Sequence, residues 1–129
     1  MNILVVDDEK MITDALQLIL KNSNNKDKIT VSTNGEDAFR RMKETTYDIV
    51  VIDINMPEIN GLTLVKKIRN EINYTPEILM ISGNFTPENV QIASDFNIQY
   101  TLAKPFNAQK FLEKIETVKK HLSKVKRAS

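Results

Sequence analysis

The sequence predicts an α/β domain in which five strands form one parallel sheet with helices on both faces. Three observations carry this expectation. Apolar runs of strand length recur at a regular interval, and stretches of helical period separate them. One run, Asp48-Ile49-Val50-Val51-Ile52-Asp53, shows no polar alternation. A strand that is apolar at every inner position has both faces covered, as in a parallel sheet between two helix layers. Alternating strands and helices then imply right-handed crossovers and a doubly wound sheet.

Ile3-Leu4-Val5-Val6 is the first strand and stops at Asp7-Asp8. From Glu9 to Asn22, the residues Ile12, Ala15, Leu16, Ile19 and Leu20 form one apolar stripe of a first helix. Ile29-Thr30-Val31-Ser32-Thr33 is β-branched and alternating, a weaker second strand. Asn34-Gly35 opens a short helix carrying Ala38, Phe39 and Met42. After the third strand, Pro57 and Gly61 punctuate a loop, and Leu62, Val65 and Ile68 begin the third helix. Pro76 to Ser82 reads as the fourth strand, ended by Gly83-Asn84. Thr86-Pro87-Glu88 supplies an N-cap and a proline at the first helical position, so a helix runs to about Phe96. Ile98 to Leu102 is the fifth strand, and Asn107 caps a last helix bearing Phe111, Ile115, Val118 and Leu122.

Composition narrows the function. The 129 residues suit one domain, with 1–122 as its body and 123–129 as a basic C-terminal tail. No cysteine is present, which excludes disulfide scaffolds, thiolate zinc sites and cysteine nucleophiles. The single histidine, His121, excludes multi-histidine metal sites and is expected to be exposed and inert. Eighteen basic residues against seventeen acidic leave a net charge of +1, so no global field draws nucleic acid or membrane. Lys119, Lys120, Lys124, Lys126 and Arg127 are expected to form a solvated face. No apolar run reaches the ~18 residues of a membrane span, and the first residues lack the basic region and length of a signal peptide. A cytoplasmic, soluble protein is expected.

Ligands of open α/β sheets bind outside the carboxyl ends of the strands. The first strand closes in Asp7-Asp8-Glu9, the third in Asp53 with Asn55 after it, and the fourth in Ser82-Gly83; Lys104-Pro105 follows the fifth. No phosphate-cradling G-x-x-x-x-G-K-[ST] or G-x-G-x-x-G occurs. Carboxylates packed together resist common ionisation, and a divalent, oxygen-preferring ion, Mg²⁺ or Mn²⁺, relieves the repulsion. Such an ion reverses the local sign and makes the site receptive to a phosphoryl group. Lys104 adds a positive charge and Ser82 a neutral donor.

Through Val6-Asp7-Asp8, the stretch Asp53 to Gly61, Ser82-Gly83 and Lys104-Pro105-Phe106, the chain resembles the receiver domain of two-component response regulators, of the single-domain, chemotaxis-regulator kind. The match in order and spacing extends from about Asn2 to Leu122. The resemblance implies a flavodoxin-like fold with strand order 2-1-3-4-5 and an aspartyl phosphate formed on Asp53. It implies Asp8 as a direct Mg²⁺ ligand, Asp7 acting through a water, and Asn55 lending its backbone carbonyl. Ser82, Gly83 and Lys104 would contact the phosphoryl group, Pro57, Gly61 and Pro105 would shape the loops, and a cis bond often precedes the proline at Pro105. A histidine kinase or histidine phosphotransfer protein would donate the phosphate, and a downstream protein target would read it. The resemblance implies a switch rather than an enzyme that turns over small substrates.

One position departs from the family pattern. Where the family has Tyr or Phe three residues before the lysine, this chain has Thr101, with Tyr100 one place earlier. Side chains alternate faces along a strand, so Tyr100 does not simply substitute. The two residues mark the switch region, which is expected to change less on phosphorylation than usual. Two other readings compete. A haloacid-dehalogenase-type phosphatase also uses an Asp nucleophile and Mg²⁺, but resembles D-x-D at the end of the first strand, whereas Asn55 stands two after Asp53 and cannot exchange protons. A phosphorylation-independent interaction module would usually have lost an acid or the lysine, and none is lost here.

Overall fold

The computed structural model describes residues 1–56 and 61–128, the side chains of 126–128 excepted. Its elements are β1 (Asn2–Val6), α1 (Lys10–Ser23), β2 (Lys28–Ser32), α2 (Gly35–Glu44), β3 (Ile49–Asp53), α3 (Gly61–Glu71), β4 (Glu77–Ser82), α4 (Pro87–Asp95), β5 (Tyr100–Ala103) and α5 (Ala108–Ala128). The strands form one sheet in the order β2-β1-β3-β4-β5, and every neighbouring pair is parallel. Pro57, expected to shape the loop after β3, lies outside the described residues.

The unbroken Ile/Val run of β3 divides between two cores because successive side chains point to opposite faces. Val50 and Ile52 join Leu4, Val6, Ile78 and Met80 under α2, α3 and α4, where Phe39, Met42, Leu64, Val65, Ile68 and Ala93 pack. Ile49 and Val51 join Ile3, Val5, Leu79 and Ile81 on the other face, beneath Leu16 and Leu20 of α1 and Phe111, Ile115 and Val118 of α5. All five residues of β3 are buried. The edge strand β2 buries only Ile29 and Ser32, which accounts for its alternating pattern.

Caps set three helix starts. The Asn34 side chain accepts from Asp37 N at 2.7 Å, Thr86 Oγ1 from Asn89 N at 3.1 Å, and Asn107 Oδ1 from Lys110 N at 2.8 Å. Each satisfies a donor that the first helical turn leaves without a partner.

The fifth strand starts at Tyr100 rather than Ile98. Asn97 adopts a positive φ of 57° and Ile98 N donates to Ala93 O at 2.7 Å, so these residues close α4 instead of opening β5. At the other end of the chain α5 continues to Ala128, through the stretch expected as a tail. Lys119 is not part of a solvated face: it forms an ion pair with Asp27, whose side chain is 5% exposed. His121 is half-buried, edge-on to Tyr100 with ring centroids 6.1 Å apart, and its Nε2 lies 3.7 Å from Glu77 Oε1.

Gly61 matters for more than turn formation. A Cβ there would lie 2.4 Å from Ile54 Cα, 2.6 Å from the Asp53 carbonyl oxygen and 2.9 Å from Ile52 Cγ2. The start of α3 therefore rests directly on the end of β3, and only a residue without a side chain permits that approach.

Candidate functional site

Parallel register brings the strand ends together. Asp53 pairs with Ile81 and Ser82 with Ala103, so the carboxyl ends of β3, β4 and β5 lie side by side. Ile54 N donates to Ile81 O at 3.0 Å and Lys104 N to Ser82 O at 2.8 Å, extending the pairing one step past each strand. β1 lies on the opposite side of β3, which places Asp7 and Asp8 beside Asp53 at the point where the strand order reverses.

The three carboxylates offer oxygens that all lie within 4.8 Å of one another. Asp7 and Asp53 are buried, and Asp8 is exposed at the mouth. The same local device orients the two buried acids. Asp7 Oδ1 accepts from Glu9 N at 2.9 Å, and Asp53 Oδ1 accepts from Asn55 N at 2.9 Å. In each case an aspartate folds onto the backbone two residues on, which fixes its side chain while leaving the second oxygen available. The other Asp53 oxygen, Oδ2, receives Lys104 Nζ at 2.7 Å, with the Asp53 side chain 3% exposed and Lys104 30%.

Electrostatics follow from this crowding. Burial pushes the Asp7 carboxyl up to about 7 from its ordinary 3.8; the Glu9 N–H opposes the shift, and the neighbouring Asp53 charge reinforces it. Burial alone would lower Lys104, but its hydrogen bond to Asp53 and the charges of Asp53, Asp7 and Glu9 outweigh that cost and leave it raised. One lysine thus faces a group of acids that it only partly neutralises. The donor set, three carboxylates of which Asp8 is exposed, suits a small hard dication such as Mg²⁺.

The structure gathers Asp7, Asp8, Asp53, Asn55, Ser82, Gly83 and Lys104 at one end of the sheet. The Lys104–Pro105 bond is cis. A Cβ placed on Gly83 would meet nothing within 4 Å, so the space beside Gly83 is open. Tyr100 shares the α1/α5 core with Leu102, which puts Thr101, half-buried between them in sequence, on the opposite face. An aromatic at position 100 therefore lies on the other face of β5 from position 101.

Sequence reading missed the Asn55 side chain. Its Oδ1 accepts from Ser82 Oγ at 3.0 Å and from Gly83 N at 3.4 Å, tying the β3 loop to the β4 loop. Ser82 Oγ also lies 3.0 Å from Asn84 O and accepts from Asn84 N at 3.0 Å. An asparagine in a loop carries no pattern that names its partner, so only the register of β3 against β4 exposes the contact.

Residues 3–116 match the model of the response regulator receiver domain family. The sensory/regulatory protein RpfC of Xanthomonas campestris pv. campestris is 33% identical over 118 residues, covering 88% of this chain and 16% of RpfC. The sensory transduction protein LytT of Oceanobacillus iheyensis is 30% identical over 124 residues, covering 95% of this chain and 49% of LytT. The chain thus spans about half the length of these curated relatives, or less. Among solved structures, the chemotaxis response regulator CheY4 of Vibrio cholerae superposes with a TM-score of 0.81 at 26% identity, covering 91% of this chain and 97% of that one. A CheY-like receiver domain protein of Methanospirillum hungatei reaches 0.85 at 22% identity, over 95% and 97% of the two chains, and bears on the fold alone. Coverage of nearly the whole chain by one family model, on a fold and a strand-end constellation of the same kind, makes the conclusion plain: this chain belongs to the response regulator receiver domain family of phospho-accepting signalling switches.

Proposed function

We propose that Asp53 is the phosphoacceptor of this receiver domain. The supporting observation is that its buried carboxylate is held between Lys104 Nζ, at 2.7 Å, and the acids Asp7 and Asp8. A carboxylate oxygen of Asp53 attacks phosphorus, an O–P bond forms on Asp53, and the bond from phosphorus to the donor breaks, its electron pair leaving with the donor. Hydrolysis reverses the state: water attacks the same phosphorus, releasing inorganic phosphate and the free carboxylate. These two steps on its own side chain are the only chemistry assigned to the protein.

Asp8 and Asp53 would hold Mg²⁺ (or Mn²⁺) directly, with the Asn55 carbonyl and, through a water, Asp7. Bound there, the ion supplies positive charge that offsets the carboxylates and the incoming phosphoryl oxygens. Lys104 neutralises phosphoryl charge from the other side, Ser82 Oγ and Gly83 N donate to its oxygens, and Gly61 and Pro105 keep the surrounding loops in shape. Phosphoryl transfer is mostly positioning and charge stabilisation, which these groups provide. The donor is a histidine kinase or histidine phosphotransfer protein, and the reader is a downstream protein target. A net charge of +1 offers no global field to nucleic acid or membrane. Among the described residues no helix is long and apolar enough to cross a membrane. The absence of cysteine suits a cytoplasmic setting. The receiver body is assigned to residues 1–122 and the basic C-terminal stretch to 123–129.

Incubation with Mg²⁺ and acetyl phosphate is expected to add the mass of one phosphate. The gain should vanish without the ion, in Asp8→Ala and in Asp53→Asn. A gain that persists in Asp53→Asn would overturn the assignment.

Thr101 limits the output. Threonine buries much less apolar area than an aromatic, so it contributes less packing energy that differs between the two states. Addition of the phosphate mimic beryllofluoride is expected to shift NMR signals strongly around Ser82-Gly83-Asn84 and modestly at Tyr100 and Thr101. Shifts at Tyr100 and Thr101 as large as those near Ser82 would contradict this.

A further inference from the structure

We infer that the side-chain amide of Asn55 is a positioning residue that latches the Ser82 hydroxyl in the resting state and so sets how readily the domain enters the phosphorylated state. This rests on the reading of Asp53 as phosphoacceptor. Ser82 is fully buried, and its hydroxyl has one proton facing two acceptors, Asn55 Oδ1 and Asn84 O, each at 3.0 Å. It also accepts from Asn84 N at 3.0 Å. All three contacts favour one orientation of the side chain. To donate to a phosphoryl oxygen on Asp53, Ser82 must give up its bond to Asn55 and to Asn84 O, because a hydroxyl donates once.

The latch has a route outward. Asn84 O also accepts from Asn89 Nδ2, in the first turn of α4, at 3.1 Å. The next residue, Phe85, is half-buried against the core beneath α2, α3 and α4. Turning Ser82 away therefore releases one end of a bridge whose other end is α4. Asn55 holds the β3 side of the bridge through both Ser82 Oγ and Gly83 N. Removing the Asn55 amide leaves the Asn84 contacts in place, so the resting orientation weakens without being lost, and the phosphorylated state becomes more accessible.

The test compares wild type, Asn55→Ala, Ser82→Ala and the double variant by NMR. In resting wild type the Hα–Hβ couplings of Ser82 should report one rotamer, and in Asn55→Ala a rotamer average. Beryllofluoride in the presence of Mg²⁺ should bind Asn55→Ala about threefold more tightly than wild type. Asn55→Ala should give no such gain in the Ser82→Ala background, because the two act through one contact. Unchanged Ser82 couplings in Asn55→Ala would overturn the latch, as would an equal gain without the hydroxyl. If wild type binds no beryllofluoride, the phosphoacceptor reading fails, while the Ser82 couplings still decide the latch.

Discussion

Asp7→Asn is expected to stabilise the metal-free protein by about 2 kcal/mol at pH 8 and by much less at pH 4. The Asp7 carboxyl is held up to about 7 in the folded domain against 3.8 for the ordinary side chain, with burial as the largest cause. Between those values the folded protein retains a proton that the unfolded chain has released. Wild-type stability therefore falls as pH rises from about 4 to about 7, and the full cost is present above that window. The displacement sets a ceiling of about 4 kcal/mol at roughly 1.4 kcal/mol per pH unit, which the solvent-facing mouth of the site reduces to about half. Asparagine keeps the acceptor for the Glu9 N–H and carries no charge, so it escapes the cost. Urea titrations in chelator across this pH range measure the difference. A gain independent of pH would show that Asp7 is not strained by its charge, and added Mg²⁺ should narrow the gap by stabilising wild type.

Gly61→Ala is expected to cost about 3 kcal/mol or more. Alanine is the better helix former by about 1 kcal/mol, and α3 begins at this residue, so propensity alone would make the change favourable. Sterics decide otherwise. The new methyl would sit 2.4 Å from Ile54 Cα and 2.6 Å from the Asp53 carbonyl oxygen, both backbone atoms that cannot swing aside as a flexible side chain would. Overpacking of this kind costs 1–3 kcal/mol when the structure yields, and here yielding means moving the strand end that carries Asp53. Gly83→Ala is the control, since its methyl meets nothing within 4 Å and should change stability by less than about 0.5 kcal/mol. A denaturation midpoint for Gly61→Ala equal to wild type would show that α3 does not press on β3.

Hydrophobic periodicity made most of this fold legible. The apolar run of β3 announced a strand covered on both faces, and its residues do alternate between two cores. Boundaries were less legible where a residue served two elements. Ile98 looks like strand, but its N–H closes α4 by reaching Ala93 O, and local β-propensity does not register that competing bond. Lys119 and His121 looked like solvent-facing residues of a basic helix end. Their partners, Asp27 before β2 and Glu77 opening β4, are far away in sequence and come near only through the sheet order.

The site was legible for a different reason. In a parallel sheet all strand ends of one sense meet on one side, so Asp7, Asp8, Asp53, Ser82 and Lys104 had to converge once five strands were assigned. The side-chain bond from Ser82 to Asn55 was not legible, because its existence depends on the one-residue register between β3 and β4 and on a rotamer. The close approach at Gly61 escaped for the same reason: sequence marks a turn glycine and a contact glycine identically.

The assignment of the phosphoryl group to Asp53 is tested most directly by reductive trapping. After incubation with Mg²⁺ and acetyl phosphate, borohydride reduces an acyl phosphate to the alcohol, converting the modified aspartate into homoserine. Peptide mapping by mass spectrometry should then find homoserine at position 53 and nowhere else, and none in protein treated without the ion. Homoserine at Asp7 or Asp8, or a phosphate mass gain with Asp53 intact, would contradict the account.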